Sequence, residues 1–223
     1  MTSRILFLLL CFFVPQISFS HTVPIAQFNL EPLDKWDQKS FVGHTQYQIV
    51  QENNQNVLKA TANQSASGIA KEITVDLLKT PFINWSWKID DRLTGLNELT
   101  KGGDDYVARI YLVKKGGFFI WNTKALNYVW SSNQQIGAQW DNAYAGDNAR
   151  MLAVRTASDP QGVWLSEKRN VFEDMIRLFG DQGSQKANEE AYQFIDVIAI
   201  MTDTDDSKRK ATAYYGDIYF SEN

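Results

Sequence analysis

The densest chemistry in the chain lies between Lys101 and Tyr111. Lys101-Gly102-Gly103 leads into two adjacent carboxylates, Asp104 and Asp105, followed by Arg109 and Tyr111 on one strand face. Paired carboxylates at the mouth of a strand, behind glycines that permit close approach, can hold a cation or a pair of sugar hydroxyls. The plainer use of the same residues is a turn closed by an ion pair to Arg109. A second acidic run, Asp203, Asp205 and Asp206, follows Met201-Thr202. Alternating acids can bind calcium, but the glycine and distal glutamate of an EF-hand loop are missing. The other reading is a solvated hairpin turn, its charge offset by Lys208-Arg209-Lys210.

The segment Lys124 to Ser132 places Lys124, Leu126, Tyr128 and Trp130 on one strand face, with Asn127 and Val129 on the other. Asn142, Tyr144, Asn148 and Arg150 follow in a stretch rich in Gly and Asn. Aromatic faces stack on sugar rings, and Asn or Arg side chains bond the hydroxyls. This predicts a ligand site of Asp104, Asp105, Arg109, Tyr111, Asn127, Tyr128, Trp130, Asn142, Tyr144 and Arg150, with about half of the chain's aromatics left to the core. The two histidines, His21 and His44, raise a second chemistry. A chain starting at His21 would chelate through its amine and ring. With His44 it would form a copper brace, as in oxidative polysaccharide-cleaving enzymes. No Gly-x-Ser-x-Gly elbow, phosphate-binding loop or His-Glu-x-x-His motif is present. A glycosidase needs only two carboxylates, for which Asp104, Asp105, Glu167 and Asp203 are candidates.

The elements that must carry these residues are mostly strands. Phe82 to Ile89 alternates, with Trp85, Trp87 and Ile89 on one face and Asn84, Ser86 and Lys88 on the other. Further strands are expected around Tyr47–Ile49, Val57–Ala60, Ile69–Leu77, Tyr106–Val113, Ala125–Trp130, Met151–Arg155, Ile195–Met201 and Ala213–Phe220. Short strands separated by turn signals predict an all-β sandwich or jelly roll. One amphipathic helix, Val171 to Phe179, starts at Asn170 and stops at Gly180, and packs at the sandwich edge. Gln182 to Glu190 reads as a loop.

The chain has 223 residues, 44% hydrophobic and 22% charged, enough apolar surface to fold. Its formal charge of -4 argues against nucleic acid as a partner. Arg4, the apolar run Ile5 to Val14 and the small residues Ser18 and Ser20 read as a signal peptide over residues 1–20, leaving one β-sandwich domain at 21–223 in the periplasm or secreted. Cleavage removes Cys11, the sole cysteine, and no later segment is apolar enough for a transmembrane helix.

Several segments are specific enough to resemble a known family. Trp85-Ser86-Trp87-Lys88-Ile89-Asp90, Gly103-Asp104-Asp105-Tyr106, Ala125-Leu126-Asn127-Tyr128-Val129-Trp130-Ser131, Asn148-Ala149-Arg150-Met151, Met201-Thr202-Asp203-Thr204-Asp205 and Tyr215-Gly216-Asp217-Ile218 are similar to a family of exported bacterial proteins known as a domain of unknown function. That resemblance implies a cell-envelope location and transfers no catalytic residue. A looser likeness, to galactose-binding-like jelly rolls, rests on Phe28-Asn29-Leu30-Glu31, Trp36 and Gly216 to Phe220. It implies a structural calcium held by Glu31 and Asp217. Three functions follow as expectations: a non-catalytic β-sandwich that binds a glycan or other envelope ligand, a polysaccharide-active enzyme, or a structural protein that binds a protein partner.

Overall fold

The computed structural model describes residues 21–117 and 122–223; the expected signal peptide, with Arg4 and Cys11, lies outside them. The strands are β1 (Thr22–Ala26), β2 (Asp37–Val42), β3 (Gln46–Glu52), β4 (Gln55–Asn63), β5 (Ala66–Asp76), β6 (Phe82–Ile89), β7 (Arg109–Lys114), β8 (Lys124–Trp130), β9 (Gln139–Asn142), β10 (Gly146–Arg155), β11 (Leu165–Asn170), β12 (Phe194–Asp203), β13 (Lys210–Tyr215) and β14 (Ile218–Ser221). Two α-helices, α1 (Val171–Phe179) and α2 (Gln185–Tyr192), and two short 3-10 turns, Leu33–Lys35 and Lys101–Gly103, complete the described elements.

The strands form two seven-stranded sheets that pack as a sandwich, as the alternating patterns predict. The first sheet runs β1-β14-β6-β13-β4-β3, with β11 on the free side of β6. β13 pairs with the end of β6 and β14 with its start, so residues 210–221 make one strand interrupted at Gly216-Asp217. The second sheet runs β2-β5-β12-β7-β8-β10-β9. Its β8–β10 pair is parallel, unlike its other pairings.

The alternation in β6 decides what lies between the sheets. Ile83, Trp85, Trp87 and Ile89 are buried inward, against Leu126, Tyr128 and Trp130 of β8. Trp85 stacks on Tyr128 with centroids 5.3 Å apart, meets Trp87 edge-on at 5.4 Å, and Trp87 tilts against Trp130 at 5.7 Å. Offset and edge contacts of this kind add to the burial of large apolar surfaces. The opposite parity of β6 puts Asn84, Ser86 and Lys88 on the outer face of the first sheet.

The Asn170 side chain accepts from the Glu173 N–H at 3.2 Å and caps α1, and Gly180 ends it at a φ of 101°. The helix buries Val171, Met175 and Leu178 at the edge of the sandwich. Residues 182–190, expected as a loop, contain most of α2 instead. The Ser184 hydroxyl caps it from Ala187 N at 3.2 Å, and Tyr192 anchors its end with a bond to Gly180 O at 2.7 Å. This helix has little apolar periodicity to betray it, and capping together with one buried tyrosine holds it in place.

Candidate functional site

Three segments that the sequence marks separately converge at one end of the second sheet. The loop before β7 brings Asp104 and Asp105, the end of β12 brings Asp203, and the end of β9 and the turn after it bring Asn142 and Tyr144. Arg109 donates to Asp203 Oδ2 at 2.5 Å and lies 3.9 Å from Asp104 Oδ2. Asn142 Nδ2 donates to both oxygens of Asp104 at 3.0 Å, and the Tyr144 hydroxyl donates to Asp206 at 2.8 Å. Asp105 accepts the backbone N–H groups of Asp206 and Ser207 at 3.2 and 2.5 Å. The Arg109 guanidinium sits 5.0 and 5.1 Å from the rings of Tyr106 and Tyr111.

The centre of this cluster is closed, while Tyr144 at its edge is exposed. Asp104, Asp105, Arg109 and Asp203 are 5%, 0%, 3% and 1% exposed, so their carboxylates meet Arg109, the Asn142 amide and backbone N–H groups rather than solvent, while Arg109 Nε and Nη1 are buried without a hydrogen-bond partner. Oxygens of Asp105, Asp203 and Asp205 lie within 4.8 Å of one another, the spacing of a cation site, but Arg109 already supplies a positive charge to Asp203. Burial pushes the Asp104 carboxyl up against the opposing pull of Arg109. Glu98, fully buried beside it, is also pushed up by burial, although the Ser131 hydroxyl and the Ser132 N–H both donate to it. Gly103 has the close-approach role expected of it: a Cβ there would overlap the Asn97 backbone. Gly102 faces open space.

The structure corrects the stacking role expected of Tyr128 and Trp130. Both are buried in the core, at 0% and 1% exposure, and present no ring face to a sugar. The Tyr128 hydroxyl donates to Asp174 at 2.8 Å and the Trp130 indole to Thr156 O at 2.8 Å. Asn127 is buried on the other face of β8, and Arg150 pairs with Asp141 on the neighbouring strand. Glu31 and Asp217 belong to separate networks. Lys71 Nζ bonds Ile25 O at 2.7 Å and Glu31 at 3.1 Å, so Glu31 already has a lysine ammonium as its cation, while Asp217 accepts the Phe28 N–H at 2.9 Å. His21 precedes β1 and His44 lies between β2 and β3, both exposed. Among the described residues, no cluster of three metal-ligating side chains includes either.

An open feature lies elsewhere. A groove of about 620 Å³ crosses the outer face of the first sheet where the β13–β14 strand breaks. Asn84 and Ser86 of β6, with Gly216, form its floor, and Trp164, Tyr219 and the β3–β4 turn form its walls. The turn is built by Asn53 and Asn54, at φ of 50° and 63°, the left-handed pair that a two-residue hairpin requires. Trp164 is fixed by a bond from its indole to Glu52 at 2.8 Å. The Lys88 ammonium, which also pairs with Glu52, lies 5.8 Å from the Trp164 ring and 4.0 Å from the Tyr214 ring. Tyr219 is 41% exposed. Each carboxylate on the groove is already held. Glu52 has Lys88 and Trp164, Glu167 has Arg155 and the Trp87 indole, and Asp217 has Phe28 N–H. The alternation of β6 announces Asn84 and Ser86 as a polar outer face; nothing local marks Trp164 and Tyr219 as their neighbours.

A family model described as protein of unknown function matches residues 34–219. No curated protein matches the chain. Among solved structures, the chain is similar to the family 11 carbohydrate-binding module of cellulosomal cellulase Lic26A-Cel5E of Clostridium thermocellum, at 13% identity and a TM-score of 0.48, over 91% of this chain and 95% of that one. The Clostridium thermocellum family 11 module in complex with a β-1,3-1,4-mixed-linked tetrasaccharide gives 13% identity and a TM-score of 0.47, over 91% and 96%. Endoglucanase Cel12A from Rhodothermus marinus gives 9% identity and a TM-score of 0.47, over 84% and 96%.

Proposed function

This chain belongs to the DUF3047 family, described as proteins of unknown function, and from that premise we propose that it binds a glycan, without altering it, in the groove on the outer face of the first sheet. The observation that carries the reading is the composition of that groove. Two aromatic side chains, Trp164 and Tyr219, line a space of about 620 Å³ together with the neutral groups of Asn84 and Ser86; Asn84 Nδ2 already donates to Phe82 O and Ser221 Oγ, which leaves its carbonyl oxygen to accept. A sugar ring offers an apolar face and a rim of hydroxyls, and this pairing of surfaces meets both. The partnered state of Glu52, Glu167 and Asp217 favours binding over hydrolysis, which needs an acid and a base free to exchange protons with substrate.

The signal-like start at residues 1–20 supports the same reading, because it would deliver residues 21–223 to the cell envelope, where glycans are. Amino-terminal sequencing of protein recovered from the periplasm or medium is expected to begin at His21. Retention of residues 1–20 on cytoplasmic protein would overturn export.

The binding test is a panel of soluble oligosaccharides titrated calorimetrically against the protein. Tyr219→Ala is expected to weaken binding by roughly tenfold, on the order of 1.4 kcal/mol, with an unchanged melting temperature because the ring is half-exposed. Chain lengths of the bound sugars should stay constant on long incubation. Shortened products would replace the binding reading with an enzymatic one.

A further inference from the structure

Beside the groove, across the edge strand β11, lies a second recess of about 290 Å³ whose character is different. Arg155, Lys168, Arg169 and Arg177 line it over an apolar floor from β10. Glu167 and Lys168 line both spaces, so the groove and the recess share β11 as a common rim.

The cations in the recess outnumber their acids. Arg169 bonds Asp174 at 2.7 and 3.0 Å, and Arg177 bonds the same carboxylate at 2.7 Å, so one buried charge serves two guanidiniums. Arg155 takes Glu167 and, at 3.4 Å, Asp159. Lys168 has no carboxylate partner among the described residues; its ammonium lies 4.8 Å from the Phe82 ring centroid. A guanidinium has five N–H donors, and Asp174 engages a single nitrogen of Arg177, whose side chain is 44% exposed. The result is a concave, water-accessible site with one positive charge in surplus and unused donors, on a chain whose formal charge is -4. An oxyanion that presents two oxygens side by side fits such a fork geometry.

We propose that the glycan is acidic: neutral parts of the chain lie in the groove, and an anionic substituent, a carboxylate or a sulfate or phosphate ester, crosses the β11 rim into the recess. This inference rests on the binding reading above. Oligouronates and their carboxyl-reduced counterparts, in which a neutral hydroxymethyl group replaces each carboxylate, separate the two. The uronate is expected to bind wild type at least about tenfold more tightly than the reduced oligomer, the difference that one charge-assisted hydrogen bond makes. Its affinity should also fall with added salt. Arg177→Gln should erase that advantage and leave the affinity for the reduced oligomer unchanged; Asp174 keeps its bonds from Arg169 and Tyr128 in this variant. Equal binding of the two oligomers, or an uronate preference that survives Arg177→Gln, would overturn the acidic assignment and leave the groove reading standing. Free glucuronate, sulfate and phosphate, each followed through the arginine side-chain N–H resonances, identify the anionic group. Shifts there without any oligosaccharide binding would keep the recess and sink the groove. Silence in both experiments would sink both.

Discussion

At the residue scale, the chain assigns its aromatics by strand parity rather than by chemical type. Trp85, Trp87, Tyr128 and Trp130 make the contact between the sheets, and Trp164 and Tyr219 are left for the groove. Trp130→Ala is therefore expected to cost about 3–5 kcal/mol of stability, read as a lowered denaturation midpoint. A variant that unfolds normally and only fails to bind sugar would contradict its place in the core. In the sequence, the segment 124–132 looks equally suited to stacking on a ligand, because a strand pattern gives the parity of a face and not which face is covered. That ambiguity is resolved only by the strand packed across from it in the other sheet, β6, distant in sequence.

At the element scale, the acidic loop before β7 depends on backbone contact. Gly103 lies against Asn97 with no room for a side chain. Gly103→Ala should cost on the order of 1–3 kcal/mol and shift the Asp104–Asn142 contact, visible in the amide spectrum of residues 97–106. A neutral effect would mean that the loop can move freely. The convergence of 101–111, 142–144 and 201–206 could not be read from their spacing, since sheet order alone makes them neighbours. The strong alternating strands, β6, β8 and β12, and the capped helix α1 were legible because each carries its own periodicity and end signals. Edge strand β11, Leu-Ser-Glu-Lys-Arg-Asn, has no apolar face to announce it, and it pairs only because β6 offers a free edge. It is also the rim shared by the groove and the recess, so the proposed binding side of the molecule lies on the element hardest to see.

At the scale of the whole molecule, the buried acids set a pH dependence. Burial raises the Glu98 and Asp104 carboxyls, so the folded state holds their protons more tightly than the unfolded chain does. Their contribution to stability is full below the ordinary carboxylate range, near pH 4, and is lost as pH rises through their raised values. The melting temperature is expected to fall from mildly acidic to neutral pH on this account, and Glu98→Gln should flatten part of the fall. A melting temperature that climbs over the same interval would show that these acids are ionised in the fold. Neither Glu98 nor Asp104 lines the groove, so their titration should leave glycan affinity unchanged; Asp217, which does line it and is also raised by burial, is where any pH dependence of binding would arise.

The central claim, that a glycan lies on the outer face of the first sheet, is tested most directly by mapping amide and indole N–H shifts while the best-bound oligosaccharide is titrated in. The account predicts shifts at Asn53, Asn84, Ser86 and Tyr219 and at the Trp164 indole N–H, with the residues around Asp104, Asn142 and Tyr144 unmoved. Shifts concentrated at Asp104, Asn142 and Tyr144, with the Trp164 indole unmoved, would place the ligand at the other end of the sandwich and contradict it.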